Sequence, residues 1–189
     1  RLDAVTALML EWGKLDPAAA IKKARSLPVG TLQKEALGAA CSGWASLHPE
    51  KAAEWARQNL TGPIAGEVYG FIAEEWASQN PPATAVWVDS LPHGVLSEAA
   101  STAVINAWAG SDPEAAARWI DSFKETDKRT EGLAALASQW CSSSPEDAAK
   151  WVSSRLNQPG SDDIVESLVG AWGEQDPVSA SKWVMGLDE

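Results

Sequence analysis

Five carboxylates recur at matched places along the chain. Asp3, Glu35, Glu67, Glu131 and Asp163 are separated by 32 residues or by twice that interval. A row of this kind could form a carboxylate ladder or hold metal ions through oxygen ligands. The spacing argues for a plainer role. Each residue falls where the first turn of a helix is expected, and a negative charge there complements the helix dipole by about 0.3–1 kcal/mol. Neighbouring helices also pack about 8–10 Å apart, too far for successive carboxylates to share one ion. The two histidines, His48 and His93, have no Cys, His or carboxylate partner at metal-ligand spacing and belong to no nucleophile motif. His48 sits where a helix N-cap is expected, and His93 lies in a Pro-His-Gly turn. Cys41 and Cys141 are far apart and read as reduced helix residues. No Gly-rich phosphate loop is present. The residues therefore point to no catalytic group, no cofactor and no metal.

Eleven tryptophans are the other chemically able residues. Indoles can cage cations or stack on sugars and bases. Their spacing favours structure instead. Trp12, Trp44, Trp76, Trp108, Trp140 and Trp172 keep a 32-residue interval, and Trp55, Trp87, Trp119, Trp151 and Trp183 follow in a second series. Both series fall on the stripes that carry Leu, Ile and Ala. Truncating a buried Trp costs ~3–5 kcal/mol, which explains the recurrence without a ligand.

The elements that carry these residues follow from the same period. Pro17, Pro49, Pro81, Pro113, Pro145 and Pro177 also recur every 32 residues. Two helices fit each repeat. In the second, Ala36, Leu37, Ala40, Cys41 and Trp44 form one apolar face of a helix A. Leu47-His48-Pro49-Glu50 then interrupts it, because Pro suits only the first turn of a new helix. Asp16, His48, Asn80, Asp112, Ser144 and Asp176 occupy the N-cap places, five of them preferred capping types. Helix B ends at stops such as Ser26-Leu27-Pro28-Val29-Gly30 and Ser90-Leu91-Pro92-His93-Gly94. No period-2 alternation occurs, so the fold is expected to be all α. Mostly small residues flank the stripe of helix A: Ala4, Ala36, Val68, Ala100, Gly132 and Ile164 on one side, and Gly13, Ala45, Ala77, Ala109, Cys141 and Gly173 on the other. Such flanks let one A helix approach the next closely. The expected architecture is six stacked antiparallel helical hairpins in an open α-solenoid. A single repeat domain over 1–189 then divides into units near 1–30, 31–62, 63–94, 95–126, 127–160 and 161–189. Lys23 replaces the second Trp in the first unit, as expected of a more polar terminal repeat.

The segment Asp112-Pro113-Glu114-Ala115-Ala116-Ala117-Arg118-Trp119 and its counterparts at Asp16, Asn80 and Asp176 resemble the junction between successive tetratricopeptide units. The period is 32 rather than 34, and Trp stands where that family prefers a small residue. The chain is similar to tandem repeats of the form Trp-Ala-x-x-Asp-Pro-x-x-Ala-Ala-x-Trp in long bacterial proteins. The resemblance supplies no catalytic residues. It implies a right-handed superhelix with a concave groove for protein segments, lined mainly by the A helices.

If so, the face of helix A opposite its core stripe meets the partner. Helical phase selects four places per unit there, mostly small or polar. The candidate contacts are Phe71, Glu74, Glu67, Ser42, Asn106 and Ser138. Phe71 stands out because the other units have Ala or Ser at its place, and an aromatic beside a carboxylate suits a binding hot spot. The plainer reading is that its ring fills space released by Gly66 and Gly70. The formal charge of −11 disfavours nucleic acid and anionic lipid, and a basic partner gains modestly. No apolar run approaches the ~20 residues of a membrane span. Because the chain opens on Arg1 in mid-helix, it is expected to be a segment of a longer protein. The leading expectation is a non-enzymatic scaffold for a protein or peptide. A closed α/α toroid enzyme and a purely structural spacer are the rival readings.

Overall fold

A computed structural model describes residues 2–92 and 94–187, with the side chains of residues 95 and 96 outside that description. His93 therefore lies outside the described residues. Among the described residues there are twelve helices and no strand. The A helices are α1 (Leu2–Leu15), α3 (Thr31–Ala45), α5 (Pro63–Gln79), α7 (Val95–Ala109), α9 (Thr126–Ser143) and α11 (Ser161–Gln175). The B helices are α2 (Pro17–Arg25), α4 (Pro49–Asn59), α6 (Pro81–Asp89), α8 (Pro113–Asp121), α10 (Pro145–Ser153) and α12 (Pro177–Met185).

Every B helix opens on the recurrent proline, whose missing N–H costs nothing in a first turn. Asp16, Asn80, Asp112 and Asp176 accept hydrogen bonds from main-chain N–H groups two or three residues on, at 2.9–3.1 Å. His48 and Ser144 hold similar cap backbone angles, but neither side chain bonds the helix. The cap reading of His48 thus holds for its main chain and not for its imidazole. A helices begin differently. Gly30 and Gly62 turn the chain with positive φ of 152° and 69°, and α3 and α5 start directly after them. Glu35 and Glu67 are consequently fifth in their helices and Glu131 is sixth in α9. Only Asp3 and Asp163 of the carboxylate series lie in a first turn, so the dipole argument applies to those two alone.

The chain forms two compact units, Arg1–Val104 and Ile105–Glu189, with the boundary inside α7. In the first unit α1 packs on α3 and α3 on α5; α2 touches α1 and α3, α4 touches α3 and α5, and α6 lies on α5. In the second, α9 packs on α11, α8 on α9, α10 on both, and α12 on α11. The pairing of α1 with α3 depends on small residues, of which Gly13 lies on the flank that the sequence marks. Gly13 is buried against the Ala40 carbonyl, and Gly43 against the Leu10 carbonyl; a Cβ on either glycine would collide with that main chain. Leu37, Val68 and Ile72 fill the interior of the first unit, and Ile120, Leu136, Ile164 and Leu168 that of the second.

Each hairpin from the second onward also contains an indole pair, one Trp from its A helix and one from its B helix. The ring centroids stand 5.5–6.3 Å apart, in tilted geometry throughout. Such pairs contribute ~0.5–1.5 kcal/mol beyond the area they bury. Side chains from neighbouring hairpins meet the last carbonyls of the B helices. Arg25 donates to Asn59 O at 2.8 Å, and Gln33 donates to Arg25 O at 3.1 Å and to Leu27 O, just past the helix, at 2.9 Å. In the second unit Arg155 grips Asp121 through two nitrogens at 2.9 and 2.7 Å while its guanidinium lies 4.7 Å from the centre of Trp151.

Candidate partner-binding face

Ser42, Glu67, Phe71 and Glu74 belong to the first unit, on α3 and α5; Asn106 and Ser138 belong to the second, on α7 and α9. The contact between α3 and α5 positions the first group. Glu67 is exposed and takes a 2.6 Å ion pair from Lys34, one helix away. Half-exposed pairs of this kind hold orientation more than they stabilise, typically by less than ~1 kcal/mol. Glu74 and Asn106 are exposed, and Ser42 and Ser138 are half-buried. Ala39, the counterpart of Phe71 in α3, is buried, because α3 has an A helix on each flank.

Phe71 is half-buried rather than open. Its ring lies on the bare backbone of Gly38 in α3, where an added Cβ would collide with Cδ2 and Cε2 of the ring. The ring therefore fills space at Gly38 of the preceding A helix, and not at Gly70. A Cβ on Gly70 would make ordinary contact, 3.6 Å from that of Ala99. Lys34 and Gly38 are the participants that sequence reasoning missed. Both are one repeat away from their partners, at an offset of 33 residues, and only the alignment of two A helices brings them into view.

Two thiols and one carboxylate away from this face have shifted proton affinities. Burial pushes the Cys41 thiol up to about 12, against a smaller opposing pull from Arg25. Burial also raises Cys141, with Glu146 adding to the effect. Both thiols are therefore protonated at neutral pH and are poor nucleophiles. Glu54 is held down at about 2 by hydrogen bonds from Arg57 and Gln58, on the exposed side of α4. Among the described residues, no three His, Cys, Asp or Glu side chains group together to hold a metal ion. The first-series indoles Trp76, Trp108, Trp140 and Trp172 are buried, each facing the second indole of its own hairpin. Trp183 donates its N–H to Ser153 Oγ at 3.2 Å, a hydroxyl on the neighbouring B helix rather than a turn carbonyl.

No family model, curated protein or solved structure matches the chain. The geometry must then carry the functional argument. None of the described helices is long and apolar enough to cross a membrane.

Proposed function

We propose that this protein is a non-enzymatic helical-repeat scaffold that binds a protein or peptide segment along its A helices. In this reading the hairpins continue as an open, right-handed α-solenoid of the tetratricopeptide-like kind. The supporting observation is the side-by-side packing of α3 and α5, which sets Ser42, Glu67 and Glu74 on adjacent helices around the Phe71 ring. Polar groups around a half-exposed aromatic suit a segment with one apolar anchor and basic flanks. The overall charge of −11 favours the same partner and opposes nucleic acid.

The test compares proteins captured from the source organism by wild type and by Glu74→Lys, after circular dichroism shows equal helicity. Glu74 is exposed, so the exchange leaves the packing intact. A partner kept by wild type and lost by the variant supports the scaffold. Retention of the same partners by both places any binding away from this face. A second reading, a rigid spacer, draws on the packing of Phe71 against Gly38, which gives the aromatic a structural use. Capture of nothing by either protein would favour it.

A further inference from the structure

The protein seats two arginines on aromatic rings of its own, and each time an oxygen acceptor serves the same guanidinium. Arg155 lies 4.7 Å from the centre of Trp151 while two of its nitrogens donate to Asp121. Arg25 lies 5.4 Å from the centre of Trp55 and donates to Asn59 O at 2.8 Å. Both distances fall within the ~6 Å over which a ring face attracts a cation.

A ring and a carboxylate also stand together on the A-helix face. Phe71 and Glu74 are three residues apart on α5, which puts them on one side of the helix. The two other aromatics that are not indoles have rings against them: Tyr69 stacks on Trp87 at 5.6 Å, and Phe123 meets Trp119 edge-on at 4.9 Å. Phe71 is half-exposed and rests on the Gly38 backbone, and among the described residues no ring or cation lies against it. Glu67, one turn before Phe71, is neutralised by Lys34 at 2.6 Å. Glu74, one turn after it, is exposed and takes no ion pair among the described residues. The unmatched charge beside the ring is therefore on the Glu74 side.

We infer that this pair receives an arginine of the bound segment, its guanidinium stacked on the Phe71 ring and donating to the Glu74 carboxylate. The inference rests on the scaffold reading and supplies the chemistry of the partner's basic residue. Cβ atoms three residues apart on a helix stand about 5–6 Å from one another, close enough for one guanidinium to touch both side chains. The guanidinium offers a flat, weakly hydrated face to the ring and an edge of N–H donors to the carboxylate. A lysine ammonium is a compact, strongly hydrated point charge and gains less from the pair.

Phe71 and Phe123 are the two phenylalanines of the chain, so ring-labelled protein reports on the site by NMR and carries its own reference. The probes are N-acetyl-argininamide and N-acetyl-lysinamide, titrated at constant ionic strength because salt screens exposed charges. The Phe71 ring signals should shift saturably with the arginine probe while Phe123 stays unmoved. The lysine probe should bind ~2–5-fold more weakly. Glu74→Gln should weaken the arginine probe by a similar ~2–5-fold, whereas Glu50→Gln, which removes the same charge from α4, should leave it unchanged. Both positions are exposed, and circular dichroism should show wild-type helicity for each variant. Equal binding of the two probes, equal effects of the two variants or no saturable shift at Phe71 overturns the inference. If the probes fail in this way while Glu74→Lys still loses a captured partner, arginine recognition falls and the scaffold reading stands. If the arginine probe behaves as expected but no partner is captured, the arginine site stands and the scaffold reading falls.

Discussion

Gly13 of α1 lies directly against the main-chain carbonyl of Ala40 in α3, and the same pair of helices sets Gly43 against the carbonyl of Leu10. Contact of backbone with backbone leaves no room for a side chain at either glycine. Gly43→Ala is therefore expected to destabilise the protein by ~1–3 kcal/mol, the range for overpacking a tight contact. Gly173→Ala meets open space and should stabilise by ~0.5–1 kcal/mol through helix propensity. Urea denaturation of the two variants reads both signs. Equal destabilisation by both would refute the close approach of α1 and α3.

Phe71 and Gly38 should show coupling of the opposite kind. Gly38→Ala forces its methyl into the Phe71 ring and is expected to be destabilising in the wild-type background. With Phe71→Ala the ring is gone, and the same glycine exchange should become neutral or favourable. A double-mutant cycle by chemical denaturation should give ~0.5–3 kcal/mol of interaction. Additive single changes would mean that the ring does not rest on Gly38.

Trp12 has no second indole in its hairpin, because Lys23 stands where Trp55 and its counterparts pair with the first series. Lys23 is exposed, so the larger side chain has room. Lys23→Trp is expected to stabilise by ~0.5–1.5 kcal/mol, the contribution of an aromatic pair. A rise in melting temperature with a stronger near-UV indole signal would show the pair formed. An unchanged signal would show that Lys23 and Trp12 do not face each other.

Cys41 makes stability depend on pH in the alkaline range. Its thiol is raised from an ordinary 9.0 to about 12 in the folded protein by burial. The unfolded chain therefore releases that proton first. The stabilisation is complete below about pH 9 and is lost as pH rises from there towards about 12. Comparing urea midpoints of wild type and Cys41→Ala between neutral pH and pH ~10.5 isolates this group. Wild type should lose more stability than the variant over that span. Parallel losses would show that the thiol is not buried.

Much of this architecture was written in the period of the sequence, for a local reason. Pro at the first place of a B helix, Asp or Asn just before it, and Pro-Gly after it each act within a few residues, and all twelve helices follow. The contacts between repeats were less legible. That Trp44 meets Trp55 requires knowing how the hairpin turns, although their 11-residue interval is plain. The candidate face was harder still. Phe71 stood out as the odd residue of its series, but its partner Gly38 depends on the axial offset between α3 and α5. Glu35, Glu67 and Glu131 fall beyond the first turn because their helices begin four or five residues earlier, at Thr31, Pro63 and Thr126, where no apolar period marks the start. The Lys34–Glu67 pair is hidden for a different reason: the phase of one helix does not show which neighbour stands across from it.

Within each unit, every substantial contact joins helices one or two places apart along the chain. No strand of the fold waits for a distant partner, and each step of assembly closes a loop of roughly one repeat. Doubling a loop costs only ~0.6 kcal/mol of closure entropy, and proteins dominated by such near-neighbour contacts reach the native state in about microseconds to milliseconds. Within either unit, folding can therefore start locally, at one hairpin and its neighbour. The speed of folding is thus set by the single repeat, and adding or deleting one hairpin should alter it little.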